Sequence, residues 1–160
     1  MKERNVSYPG HFYRAAAVLF ATALSSFAFD LRHISEIQQT AQELERNATL
    51  LQNALKSKNP NVETAIANFQ LMTARLSSLD LIAHRFEASK PTLDESTRAT
   101  WTNLRQKIHA LSLSHDSKDR LVGQDLPKYR FMIRAYADGV AHKARTIQSS
   151  AAKIQNASDF

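Results

Sequence analysis

Two stretches of this chain, 34–55 and 62–86, place apolar residues at alternating steps of three and four. This spacing keeps a narrow apolar seam on one side of an α-helix, whereas a half-buried β-strand requires a period of two. Only the polar residues 56–61 separate the two seams. The sequence therefore predicts two long antiparallel helices joined by a short turn, with Asn61 as the N-cap of the second helix. The seam residues are Ile34, Ile37, Ala41, Leu44, Ala48, Leu51 and Leu55, followed by Val62, Ala65, Phe69, Met72, Leu76, Leu79, Ala83 and Phe86.

Two further helices are predicted in the second half of the chain. Thr92 and Glu95 have the spacing of a capping box, which predicts the start of the third helix. We expect this helix to fade in the polar segment 112–119 and a fourth helix to cover about 125–156. Their inward residues are predicted to be Trp101, Leu104, Ile108 and Leu111, and then Tyr129, Ile133, Tyr136, Val140, Ala144, Ile147, Ala151 and Ile154.

The composition favours an all-α protein. The 160 residues include only three glycines and four prolines, too few for the many turns of a multi-stranded sheet. Short connections after the first two helices place neighbouring helices antiparallel. We therefore expect one domain at 29–160, an up-down-up-down antiparallel four-helix bundle, preceded by an N-terminal hydrophobic helix.

The N-terminal segment has the layout of a secretory signal peptide. Basic residues precede an uncharged apolar run from Ala15 to Phe29, and the small residues Ser26 and Ala28 lie where a signal peptidase cleaves. We expect residues 1–28 to be removed and the protein to be exported to a periplasm, lumen or extracellular space. The alternative is a retained membrane anchor at 12–29, although the apolar run is shorter than the roughly 20 residues that usually span a bilayer.

The chain lacks the sequence signatures of catalysis and cofactor binding. With no cysteine it has no thiol nucleophile, disulfide or covalently attached c-type haem. Its six histidines include no pair at i, i+4, and no Glu-x-x-His motif of the ferritin-like di-iron proteins occurs. Neither a Gly-x-Ser-x-Gly motif nor a phosphate-binding glycine loop is present. We therefore predict no enzyme activity, no cofactor and no metal site.

A basic stripe on the predicted fourth helix is the most distinctive polar feature. The net charge is +6, and basic residues recur along this helix every three or four positions, interrupted by Asp138. Such a stripe is either a solvated helix face or a contact surface for an acidic partner or another anionic surface. Apolar residues outside the seam of the second helix either widen its packed face or, where they are exposed, form a second candidate contact surface. The predicted partner-binding residues are Arg130, Arg134, His142 and Arg145 of the stripe, together with Leu71 and Leu81.

These features favour an exported, non-catalytic bundle, an accessory, adaptor or chaperone-like protein that acts by binding a protein partner or a second copy of itself. We expect no nucleic-acid binding, since export removes the protein from nucleic acid. One alternative is an accessory subunit anchored in a membrane through 12–29. Another is a small-ligand or haem-binding bundle, with a cavity between Met72, Trp101 and Tyr136.

Overall fold

A computed structural model describes the backbone of residues 10–158 and the side chains of residues 31–157, apart from 120, 121 and 123–125. Helical residues form α1 (Gly10–Lys56), α2 (Val62–Ala88) and α3 (Glu95–Ser158). No strand occurs within the described backbone. The predicted all-helical class is therefore confirmed.

The long helix α3 folds back on itself. His115 and Tyr136 are 21 residues apart, yet His115 Nδ1 lies 2.7 Å from the Tyr136 hydroxyl. A straight helix would separate two such residues by about 32 Å. The chain therefore reverses direction between them, and we call residues 95–115 the first arm of α3 and residues 129–158 its second arm. With α1 and α2, these arms make four helical segments.

Contacts between α2 and the first arm of α3 show that these segments run antiparallel. The rings of Phe86 and Trp101 lie 4.2 Å apart at one end, and the rings of Phe69 and His115 lie 4.3 Å apart at the other. Residue numbers therefore fall along α2 as they rise along the first arm. The two aromatic pairs tie together the ends of this helix pair.

The second arm of α3 packs against α1 in the same antiparallel sense. Gln52 Nε2 donates to Asp138 Oδ1 at 3.1 Å, and Arg145 Nε donates to Glu45 Oε1 at 2.8 Å. The short connection between Lys56 and Val62 makes α1 and α2 neighbours as well. These contacts agree with a helical bundle in which successive segments alternate in direction.

The apolar seams form the core of the bundle. Every predicted seam residue of α1 is at most 2% exposed, and all of those of α2 are buried except Val62, which is half-buried. The four predicted inward residues of the first arm are buried, as are those of the second arm except the half-buried Tyr129 and Tyr136. A continuous apolar interior along all four segments is the main source of stability in such a bundle.

The predicted capping box at the start of α3 is wrong. Asp94, not Thr92, caps this helix: its Oδ1 accepts from the Thr97 amide at 2.9 Å and its Oδ2 from the Thr97 hydroxyl at 2.6 Å. These hydrogen bonds hold the pKa of the Asp94 carboxyl below its ordinary value. Leu93, half-buried against the core, precedes the cap. In contrast, the predicted cap of α2 is confirmed, because Asn61 Oδ1 accepts from the Thr64 amide at 3.0 Å.

The predicted fading of the third helix at 112–119 is also wrong. This segment is helical throughout, and His115 within it is 2% exposed. The polar composition suggested a loop, but His115 stacks on Phe69 and continues the buried face one turn beyond Leu111. The chain reversal therefore lies further along the sequence than the predicted break.

The predicted signal peptide or anchor at residues 1–28 lies outside the side chains that the structure describes. Among the described residues, no helix is long and apolar enough to span a bilayer.

Candidate partner-binding surfaces

A chain of hydrogen bonds inside the bundle fixes the orientation of His115. The Thr73 hydroxyl donates to the Phe69 carbonyl oxygen at 3.2 Å, so its oxygen is left to accept from His115 Nε2 at 2.7 Å. His115 Nδ1 then accepts from the Tyr136 hydroxyl, also at 2.7 Å. With the Thr73 hydroxyl donating to Phe69, a neutral imidazole that carries its proton on Nε2 satisfies all three side chains. Both ring nitrogens are used within the protein, and the group ties α2 to both arms of α3.

The pKa values of this group follow from its burial. Desolvation lowers the pKa of His115 below its ordinary value, while the nearby carboxylates of Asp116 and Asp119 act in the opposite direction. Burial also raises the pKa of Tyr136, and the negative charge of Asp116 raises it further. Both shifts favour the neutral side chains near pH 7, and in that form they link α2 to both arms of α3.

Two basic residues of the stripe make contacts within the bundle. The Arg130 guanidinium lies 3.5 and 3.4 Å from the carbonyl oxygens of Ser57 and Lys58, just after the C-terminus of α1, where a positive charge is favourable. Arg145 pairs with Glu45 at 2.8 Å. These two arginines therefore contact α1 and the residues that follow it, and they help to hold the second arm of α3 against α1.

Arg134 of the stripe borders an open groove between the second arm and α1. Gln52, Phe131, Arg134, Ala135 and Asp138 line this groove, which we call the Phe131 groove. The Phe131 ring is 68% exposed and the neighbouring Met132 is 48% exposed. An aromatic side chain therefore stands in solvent beside the half-buried Arg134.

Leu71 and Leu81, for which the sequence left both burial against a neighbouring helix and exposure open, are exposed on α2. Leu71 is 44% and Leu81 is 52% exposed, and both border grooves between α1 and α2. The exposed Leu50 of α1 lines the same groove as Leu71. Sequence reasoning missed Leu50, although it lies outside the α1 seam in the same way as Leu71 lies outside that of α2.

The six predicted partner-binding residues do not form one site. The second arm of α3 meets α1 on the side that carries Glu45 and Gln52, whereas α2 meets α1 beside Glu43 and Leu50. Glu43 and Glu45 are two residues apart, and two residues are about 200° apart around a helix. The basic stripe, including the exposed His142, therefore lies on a different side of the bundle from the leucines of α2.

Met72, Trp101 and Tyr136, which the small-ligand alternative placed around a cavity, do not lie together among the described side chains. Tyr136 contacts His115, which lies 14 positions after Trp101 on the first arm, or about 21 Å along a helix. Met72 is fully buried in the core. Within the described part of the chain, no three acidic or histidine side chains come close enough together to hold a metal ion.

Comparison with protein-family models, with curated protein sequences and with solved structures yields no match to this chain.

Proposed function

We propose that this protein is an exported, non-catalytic helical bundle that binds a protein partner on the second arm of α3. The exposure of Phe131, 68% of its surface, beside Met132 and Arg134 is the observation that carries the proposal. Aromatic and arginine side chains contribute most of the binding energy at many protein interfaces. Here both occur together next to an open groove.

The chemistry of this surface suggests what its partner presents. An apolar side chain would cover Phe131, and a carboxylate would pair with Arg134, which has no acidic partner within 4 Å among the described residues. Arg130 lies over the Phe131 ring, with its guanidinium carbon 4.6 Å from the ring centre, and adds positive charge. An amphipathic segment with acidic residues on its polar side meets both requirements.

Affinity capture with the full chain tests this proposal. The protein purified from its native source is used to capture and identify a partner, whose affinity is then measured for the variants Phe131→Ala and Arg134→Glu. We expect each variant to bind at least about tenfold more weakly, a loss of about 1.4 kcal/mol, with unchanged helicity by circular dichroism. Leu113→Ala is the matched control, because Leu113 is 59% exposed on the first arm of α3. Equal binding by all three variants would remove the Phe131 groove from consideration.

The intact mass of the mature protein tests the proposed location. Loss of residues 1–28 would support export of the bundle as a released protein. A full-length chain that stays in the membrane fraction after carbonate extraction would favour the alternative, an accessory subunit anchored through 12–29.

A further inference from the structure

The groove between α1 and α2 has an acidic edge and a basic edge. Glu36 and Glu43 border it on α1, while Arg75 and Arg85 border it on α2. At its middle, Arg75 Nε lies 2.9 Å from Glu43 Oε2, and both side chains remain more than one-third exposed. Arg46 departs from this sorting of charge by helix, because it is a basic residue on the otherwise acidic α1 edge.

Exposed leucines lie on this face at both ends of the groove. Because α1 and α2 run antiparallel, Leu50 and Leu71 lie on one side of the Glu43–Arg75 pair, about 10 and 6 Å along the helices. Leu81 lies about 9 Å away on the other side, near the level of Glu36. The face thus combines three leucines, each between 42% and 52% exposed, with charges sorted by helix.

This arrangement is self-complementary. A rotation of 180° about an axis parallel to the helices places α1 of one copy against α2 of a second copy at the same level. Glu43 then faces Arg75 of the other copy, and Glu36 lies within about one turn of the other Arg85. Each contact is repeated by the symmetry. An antiparallel arrangement would place Glu43 against Glu43 instead.

We propose that a second copy of this chain covers the α1–α2 groove in a two-fold symmetric dimer. Leu50 of each copy packs near Leu71 of the other, and the two Glu43–Arg75 pairs form a four-charge cluster at the centre. This inference rests on the proposed function only insofar as both assign binding to exposed apolar side chains. The two surfaces lie on different sides of the bundle, so a dimer leaves the Phe131 groove open.

The size of the face agrees with what a dimer requires. The 27 residues of α2 extend about 40 Å, and two adjacent helices are about 20 Å wide. The face therefore covers roughly 800 Å² per copy, which is the area that each partner buries in a standard protein interface.

Native mass spectrometry and light scattering of the full chain test the dimer. We expect the wild-type protein at about 50 μM to have twice the monomer mass, since interfaces of this size bind at micromolar affinity or tighter. Glu43→Arg and Arg75→Glu should each weaken self-association at least tenfold, because each places like charges together. Circular dichroism checks that both variants remain helical.

Mixing the two charge-reversed variants provides the decisive step. A Glu43→Arg chain presents two arginines at the centre and an Arg75→Glu chain presents two glutamates, so the mixture should restore a dimer containing one chain of each. A wild-type monomer, or variants that each still dimerise, would overturn the proposal. Variants that stay monomeric when mixed would overturn the pairing of Glu43 with Arg75.

Two leucine substitutions distinguish association through this surface from nonspecific hydrophobic association. Leu71→Asp should weaken the dimer at least tenfold, whereas Leu113→Asp, at a leucine that is 59% exposed on the first arm of α3, should leave it unchanged. Equal effects of the two variants would argue against the α1–α2 groove. Because the dimer is measured on the purified chain alone, its failure would not affect partner capture through Phe131.

Discussion

Replacing Tyr136 by phenylalanine should lower the free energy of unfolding by about 1–3 kcal/mol at pH 7, the cost of leaving a buried polar atom without its hydrogen bond. The substitution removes only the hydroxyl, which donates to His115 Nδ1 at 2.7 Å. The ring remains, so no large cavity opens. His115 is 2% exposed, so water does not readily replace the lost donor. In a chain of this length the melting temperature should fall by about 2–4 °C per kcal/mol.

The same substitution should change how stability depends on pH. Burial lowers the pKa of His115 in the folded state below that of the unfolded chain, about 6.5. As the pH falls, the unfolded chain therefore takes up the proton before the folded protein does. The contribution of the neutral His115 to the free energy of unfolding is complete above about pH 6.5. It is lost as the pH falls further, at up to about 1.4 kcal/mol per pH unit. The Tyr136→Phe variant should lose at least as much, because a protonated Nδ1 needs an acceptor, which the tyrosine hydroxyl can supply and the phenylalanine ring cannot.

Urea unfolding followed by far-UV circular dichroism at pH 7 and pH 5 measures both effects. Tyr129→Phe is the matched control: Tyr129 is also half-buried on the second arm, and its hydroxyl makes no hydrogen bond to any residue that the structure describes. It should change stability by less than about 0.5 kcal/mol. If Tyr136→Phe and Tyr129→Phe behave alike at pH 7, or if the deficit of Tyr136→Phe shrinks on acidification, the hydrogen bond between His115 and Tyr136 does not contribute to stability in this way.

Three other substitutions test local features of the fold. Lys90→Gly should stabilise the protein by about 1 kcal/mol, because Lys90 has a φ of 51°, where a Cβ is unfavourable; Lys90→Ala keeps the Cβ and should give no gain in chemical denaturation. Asn61→Ala should cost about 1 kcal/mol by removing the hydrogen bond to the Thr64 amide, measured by thermal unfolding. Phe69→Ala should cost about 3–5 kcal/mol because Phe69 is 1% exposed, whereas Phe131→Ala at 68% exposure should stay within about 0.5 kcal/mol; similar urea midpoints for the two would contradict the burial.

Much of the fold follows from local patterns in the sequence. The steps of three and four from Ile34 to Leu55 and from Ala65 to Phe86 identify the buried faces of α1 and α2, because a helix that packs on a core must keep one side apolar. Asn61 was predicted as a cap for the same kind of local reason. Such features depend on residues within a few positions of each other, which is why composition and spacing were sufficient.

The candidate surfaces were only partly predictable. Position outside the seam marked Leu71 and Leu81 as a candidate surface without deciding whether they are exposed, and it did not single out Leu50. The basic stripe of α3 is regular in sequence, yet Arg145 pairs with Glu45, a residue 100 positions away. Whether a charged side chain is available for a partner depends on what the neighbouring helix presents, and spacing along one helix carries no such information.

The sequence by itself determined that the chain is helical, where α2 begins, and which residues form most of the core, since these depend on periodicity and local hydrogen bonding. The tertiary structure decided the extent of α3 and the role of His115. A histidine in the polar segment 112–119 indicates a loop when considered alone. Phe69 and Thr73 from α2 and Tyr136 from the returning arm surround it, and their stacking and hydrogen bonds offset the cost of burying the imidazole. Those partners are distant in sequence, so only the packed bundle brings them together.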